Sequence, residues 1–258
     1  MRSEGVLACH VLKTSLCKTS AVLSSSYLWS AKMQSVAVLT SGGLDSCVLV
    51  GDLARDHTVH PLYVACNLAW EQEERLALDR FLGALDAPTV KPVTVLPLPV
   101  AALYGDHWSI TGRGIPAMGA PDDAVELPGR NILLLAAAAV WCSRNSIEDI
   151  ALGTLALNVQ NDATPAFFQD YARLLSTGLA PHRVGILYPL RSRTKADIIA
   201  ASADLPLHET LTCMAPTHDA EGVLHCGACA KCSARRAVFR QAGVADATRY
   251  GYAPGTGA

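Results

Sequence analysis

Two clusters in this chain have residue types and spacings suited to chemistry. The first is Ser41-Gly42-Gly43-Leu44-Asp45-Ser46, which follows the apolar run Val36 to Thr40. Two glycines let the backbone pass close to a bulky anion, and the two hydroxyls and the free amides of a helix start can hold it. No lysine follows the second glycine and the spacing is too short for the common GxxxxGK[ST] loop, so this is a phosphate cradle of another type. The plainer alternative is a helix capped by Ser41 behind a glycine turn. The second cluster is Cys213, Cys226, Cys229 and Cys232, spaced C-x12-C-x2-C-x2-C. Four thiolates close a tetrahedral zinc shell with no open position, which makes the ion structural. His218 and His225 are spare candidates, a redox pair of Cys229 and Cys232 is a second reading, and an iron–sulfur cluster is a third.

These clusters need elements to position them. Val36 to Thr40 reads as a buried strand, and Leu44, Val48, Leu49 and Leu53 mark the apolar face of the helix after the loop. Thr58 to Cys66 is a second strand, and Glu71 to Leu85 a helix with Leu76, Leu78, Phe81, Leu82 and Leu85 inward. Lys91 to Leu98 is a third strand ending near Pro97. Tyr104 to Leu127 is a long Gly- and Pro-rich connection containing Trp108 and Met118, expected to be a mobile cover over the site. Pro128 and Gly129 then turn the chain into an Ala- and Leu-rich helix starting near Arg130. Asp149 to Gly153 is a fourth strand, Pro165 to Leu175 a helix burying Phe167, Phe168, Tyr171 and Leu174, and Val184 to Leu187 a fifth strand. Thr194 caps a further helix. Alternating strands and helices imply an α/β fold: an open, mainly parallel five-stranded sheet with helices on both faces and the site at its carboxyl edge.

Composition narrows the function classes. The chain has 258 residues and a formal net charge of −2, with a pI near 6.4, so no general attraction to nucleic acid or membrane is expected. Its longest apolar run, Ile132 to Cys142, is far short of the roughly 20 residues a span requires. Nine cysteines, four of them clustered, read as metal binding in a reducing, cytoplasmic setting. Residues 1–32 carry Arg2, Lys13, Lys18 and Lys32 against Glu4 alone. They are expected to be a loose extension, or to lie upstream of a true start at Met33. Residues 33–200 are expected to form the nucleotide-binding α/β domain, and 201–258 a helical region with a zinc knuckle. The basic helix Ser233 to Gln241, with Arg235, Arg236 and Arg240, faces either phosphate or solvent.

The Ser-Gly-Gly-Leu-Asp-Ser run resembles the pyrophosphate loop of the ATP pyrophosphatase superfamily, which has an adenine nucleotide alpha hydrolase-like fold and adenylates its substrates. Pro128-Gly129-Arg130-Asn131, Glu209 to Cys213 and the run Cys226 to Cys232 sharpen that likeness. Together they resemble the 7-cyano-7-deazaguanine synthases of the queuosine pathway over Met33 to about Arg240. The resemblance implies ATP, Mg2+ and structural Zn2+, a ligase forming C–N bonds, and a 7-deazapurine substrate with free ammonia. It permits a homodimer. Ser41, Gly42, Gly43, Leu44, Asp45 and Ser46 would hold the nucleotide, with Asp45 beside the magnesium. Arg130 and Asn131 would face phosphate or ribose, with a surface turn as the alternative. Lys195 would neutralise charge on the transferring phosphate, with an exposed first-turn lysine as the alternative.

Two segments depart from the family pattern. A Tyr-Gly-Gln turn and a histidine are replaced by Cys66 to Glu74, and an Asp-x-Ser-Gly-Tyr-Pro-Asp segment by Leu157 to Pro165. Glu71 or Gln72, and Asn161 or Asp162, are the candidates to face the substrate there. Three functions follow: the nitrile synthase, a paralogue adenylating another carboxylate or serving another amine, and a zinc-knuckle binding protein without catalysis.

Overall fold

The structure is a computed structural model and describes residues 33–156 and 160–252; the expectations for 1–32 and for the start of the Leu157 to Pro165 segment fall outside them. Its centre is β1 (Ser35–Leu39), whose side chains alternate between two buried faces. Val36 and Val38 point toward α1 (Leu44–Leu53) and α7 (Lys195–Ala201), sharing a core with Val48, Leu49, Ile198 and Ile199. Ala37 and Leu39 point the other way, toward Leu135, Ala138, Ala139 and Cys142 of α5 (Arg130–Asn145) and Phe168 of α6 (Pro165–Gly178). A strand buried on both faces is what a parallel sheet between helical layers demands.

The sheet has the order β3-β2-β1-β4-β5, with β2 at Thr58–Ala65, β3 at Thr94–Pro97, β4 at Asp149–Ala151 and β5 at Gly185–Leu187. All four pairings are parallel. The chain winds outward from β1 to β3, then returns to the other side of β1 for β4 and β5. That reversal opens a crevice at the carboxyl ends of β1 and β4, where open α/β sheets bind ligands. The helix α2 (Glu71–Leu85) has the bounds its periodicity requires, but it buries Glu74, Ala77, Leu78 and Phe81 while Leu76 stands 44% exposed. Likewise α6 buries Phe168 and leaves Leu174 65% exposed. In both helices the buried stripe is narrower than the count of apolar residues suggests, because one sheet face covers only about a third of a helix's circumference.

The connection after β3 carries two short helices, α3 (Ala101–Tyr104) and α4 (Trp108–Thr111), and ends in a 3-10 turn at Asp122–Val125. It lies over the carboxyl edge, with Trp108 stacked on Trp70 at 5.5 Å. One stretch, Asp123–Asn145, is long and apolar enough to cross a membrane by length and composition. It is bent at Pro128 and Gly129, and one face of its α5 portion is sunk in the core.

After α7 the chain makes a 3-10 turn at Leu207–Glu209, a small antiparallel pair β6 (Thr217–Asp219) and β7 (Gly222–Leu224), and α8 (Ala230–Ala242). Phe239 of α8 joins the core of α1 and α7, while Cys213, Met214, Cys229 and Cys232 join that of α5. The basic helix faces neither phosphate nor water with its key residues. Arg235 is 2% exposed and donates to Thr248 Oγ1 at 2.7 Å, Thr210 Oγ1 at 2.9 Å and the Leu207 carbonyl at 2.7 Å. Arg236 donates to the Gly227 carbonyl at 2.7 Å and lies 3.8 Å over the Tyr250 ring. Arg240 is the exposed one of the three. The helix is a clamp for the carboxyl tail.

Gly42 is the tightest point in the fold. Its φ is +71°, and a Cβ there would lie 2.3 Å from the Glu74 carbonyl oxygen. A Gly42→Ala chain should therefore lose about 3 kcal/mol or more of unfolding free energy. Gly83→Ala, inside α2 with nothing within 4 Å of the added methyl, should gain about 0.5–1 kcal/mol. Urea midpoints check both, and an unchanged midpoint for Gly42→Ala would show that the loop is not held against α2.

Candidate functional site

Thr40 ends β1 with its amide on the Leu62 carbonyl at 2.9 Å, and the chain then turns through Ser41 to Gly43 into α1. Hydroxyls shape this turn from within. Ser46 Oγ donates to the Gly43 carbonyl at 3.0 Å and accepts from the Ser41 amide at 3.2 Å, while Ser41 Oγ accepts from the Gly43 amide at 3.3 Å. Ser41 is thus no N-cap; Gly43 takes that position without a side-chain bond. The first-turn amides of Leu44, Asp45 and Ser46 have no intrahelical acceptor, so the positive end of α1 is left for an anion.

The loop opens into a cavity of about 360 Å³ bounded by the ends of β1, β2 and β4. Ser41, Gly43, Leu44, Asp45, Ser46, Arg130, Asn131, Glu71 and Lys195 all line it. Thr194 caps α7 by accepting from the Asp197 amide at 3.2 Å, and Asp197 answers by accepting from the Thr194 amide at 2.9 Å. That cap starts α7 so that Lys195 Nζ lies 2.9 Å from Asp45 Oδ2. The lysine thus lines the cavity while its side chain stays 39% exposed. Asp45 Oδ1, Arg130 Nε and Thr154 Oγ1 are buried without a partner. Unpaired buried polar atoms cost free energy. Three of them around one cavity mark it as built for a polar ligand.

Other expected residues are placed differently. Gly42 lies behind the loop, against α2. Gln72 is exposed on the outer side of α2, and Asn161 is exposed too; neither borders the cavity. Asp162 is also outside the lining, but it accepts from the Asn131 amide at 2.9 Å, and its carbonyl accepts from Asn131 Nδ2 at 3.1 Å. It therefore orients the start of α5, the end that carries Arg130. Glu71 accepts from the Asn67 amide at 2.7 Å, bracing a turn whose Asn67 has φ 61°.

Sequence reasoning missed Glu74, Tyr63, Trp70 and Thr154, all of which line the cavity. Glu74 is 7% exposed and accepts a hydrogen bond from the Tyr63 phenol at 3.0 Å. Burial pushes its carboxyl up to about 7, against the pull of the Arg130 guanidinium. One signal was available: Glu74 shares the inward stripe of α2 with Leu78 and Phe81, and a carboxylate on an apolar stripe is out of place.

The four cysteines form a separate centre beside the cavity. Their sulfurs lie within 4.8 Å of one another, and three separations are 4.0 Å, 3.9 Å and 3.5 Å. A tetrahedral Zn–S bond of about 2.3 Å sets sulfurs about 3.8 Å apart. Backbone amides point at the sulfurs, Ala215 and Cys226 at Cys213 and Ala228 and Cys229 at Cys226, at 3.2–3.4 Å. Such donors stabilise thiolates, so the residues present fit a four-coordinate metal. Gly227 makes the knuckle possible, with φ +80° and no room for a Cβ beside the Tyr252 carbonyl. His225 is turned away to accept from the Thr212 amide at 3.1 Å, and burial pushes it down to about 3; His218 lies 3.6 Å from Glu73. Neither histidine is in the sulfur cluster.

Residues 35–243 match the family described as queuosine biosynthesis protein QueC. The chain is 32% identical over 227 residues to 7-cyano-7-deazaguanine synthase 1 of Sphingopyxis alaskensis, covering 84% of this chain and 98% of that one. It is also 32% identical over 224 residues to the 7-cyano-7-deazaguanine synthase of Novosphingobium aromaticivorans, covering 83% and 93%. Among solved structures, the U34-tRNA thiolase NcsA of Methanococcus maripaludis, described with its [4Fe-4S] cluster, aligns over 82% of this chain and 73% of that one at 14% identity and a TM-score of 0.44. With an anion cradle at a parallel sheet's carboxyl edge and a four-cysteine centre beside it, and on the strength of its matched residues and relatives, the chain belongs to the QueC family of enzymes in queuosine biosynthesis.

Proposed function

We propose that the protein converts 7-carboxy-7-deazaguanine and ammonia to 7-cyano-7-deazaguanine at the expense of ATP, through an adenylated carboxylate. One observation carries the reading. The start of α1, the Asp45–Lys195 pair and the partnerless Asp45 Oδ1, Arg130 Nε and Thr154 Oγ1 face one cavity. That combination suits a triphosphate and an attacking carboxylate held side by side.

In the first step the substrate carboxylate attacks the α-phosphate and pyrophosphate leaves. The α1 amides and the Ser41 and Ser46 hydroxyls hold the phosphates in line, and Lys195 offsets charge gathering on the transferring phosphoryl group. Asp45 is the carboxylate placed to hold a magnesium ion, which would supply further charge neutralisation. Ammonia then attacks the acyl carbon and AMP departs, leaving the amide. A second ATP adenylates the amide oxygen with loss of pyrophosphate, and AMP then carries that oxygen away as the nitrogen gives up its two protons, leaving the nitrile. Arg130 and Asn131, oriented by Asp162, bind rather than react. No side-chain nucleophile is needed. The four cysteines hold structural zinc in this reading, and the seven free cysteines among the described residues suit a reducing cytoplasm.

The altered segment Cys66 to Glu74 favours one second reading, a paralogue acting on another carboxylate or amine. It lines the cavity with Trp70, Glu71 and Glu74.

Incubation with ATP, magnesium, ammonium and 7-carboxy-7-deazaguanine should yield the nitrile by mass spectrometry. Asp45→Ala and Lys195→Ala should each lower kcat by about 100-fold or more. Pyrophosphate release without nitrile would favour the paralogue, and neither binding nor turnover of the base would sink the first reading. Elemental analysis should find one zinc and no iron per chain, with no visible colour. Cys226→Ser should lose the metal and melt several degrees lower; a brown protein carrying iron and sulfide would reverse the metal assignment.

A further inference from the structure

Glu74 has no part in the phosphate chemistry above, yet it is the most deeply buried carboxylate in the cavity wall. It sits in the first turn of α2, 7% exposed, among Leu78 and Phe81, which are 1% and 0% exposed. Its hydrogen-bond partner is neutral. The phenol of Tyr63, itself 2% exposed, donates to Oε2 at 3.0 Å. Burying a carboxylate among apolar side chains is expensive, and one neutral donor with the pull of the Arg130 guanidinium does not offset it in full. Nothing in the packing of α2 requires a charge there, because an apolar residue would continue the stripe. A carboxylate retained on those terms, with its orientation fixed by the Tyr63 phenol, is arranged to accept a hydrogen bond from a ligand.

The surroundings describe that ligand. Trp70 and Trp108 stand nearly parallel, 5.5 Å apart and tilted by 16°, and both line the same cavity. Broad aromatic faces beside a fixed acceptor suit a flat heteroaromatic ring with N–H groups on its edge. In its ionised form the carboxylate only accepts, so it pairs with an exocyclic amine and repels a carbonyl at the same position. We propose that Glu74, oriented by Tyr63, is the specificity-determining acceptor for the exocyclic amino group of a purine-type base in this cavity. Tyr63 is a positioning residue. The inference rests on the function proposed above only for the identity of the base. Two sources carry the chemistry: the adenine of ATP, and the 7-deazaguanine ring.

Calorimetric titration separates them without turnover. Wild type, Glu74→Gln and Tyr63→Phe are each titrated with ATP and with ITP, which has a carbonyl where adenine has its amine. They are then titrated with 7-carboxy-7-deazaguanine and its 2-deamino analogue. In wild type one of the two pairs should differ by at least about 10-fold in Kd, and that pair names the source. Glu74→Gln, whose amide can turn to donate or accept, should collapse the difference while leaving the other pair unchanged. Tyr63→Phe keeps the charge but frees its orientation; it should weaken the amino-bearing ligand several-fold, and it supplies the same readout if the Gln variant does not keep its melting temperature. Equal affinities within both pairs in wild type, or discrimination that survives Glu74→Gln, would overturn the assignment. If wild type does not bind 7-carboxy-7-deazaguanine at all, the proposed function fails, and the ATP and ITP arm still decides the role of Glu74.

Discussion

The structure hangs on the contact between Gly42 and the backbone of α2. Where a side chain would stand, the Glu74 carbonyl is 2.3 Å away, so the loop and the second helix touch main chain to main chain. The contact sets how far α1 and α2 can separate, and with them the ends of β1 and β2. It also brings Glu74 and Tyr63 to the wall of the cavity whose floor is the anion loop. Glycine here is a condition for the site, since any larger residue would separate the loop from α2.

The same loop is held from its other side by the carboxyl-terminal segment. The Leu211 amide donates to the Gly42 carbonyl at 2.9 Å, two residues before the first sulfur of the cysteine cluster. Thr210 is fixed by the buried Arg235, and Thr212 by His225. A four-coordinate metal there would stiffen the segment whose Leu211 amide holds the Ser41 to Ser46 loop. Arg235 is a charge used for architecture: three neutral acceptors, an aromatic ring and, at 3.9 Å, the Asp246 carboxylate surround it. Planar guanidinium geometry lets one side chain join α8, the turn after α7 and the tail.

Charge within the cavity is divided rather than uniform. Lys195 and Arg130 offer cations, and Asp45 is paired with the first. Glu74 is buried with the Tyr63 phenol on its carboxyl, which burial pushes up to about 7 against the pull of Arg130. Cations and a buried carboxylate thus border different parts of one cavity.

Much of this was legible from residue order alone. The alternation of apolar runs with helical periods determined a parallel sheet with its site at the carboxyl edge. Ser41 to Ser46 determined a tight loop from strand into helix, and the cysteine spacing a four-sulfur centre, because those features depend on residues close together in the chain. Tertiary structure decided what depends on distant residues meeting. Lys195 reaches Asp45 only because β1 and α7 pack on one face, which made its two readings inseparable beforehand. Gln72 and Asn161 fall outside the cavity, since a helix turns by about 100° per residue and a neighbour in sequence is not a neighbour on a face. Arg235 looked like surface charge and is core, because its acceptors come from residues 13 to 28 positions away in the chain. Glu74 looked like one acid among three in the first turn of α2; packing buried it beside Tyr63 of β2.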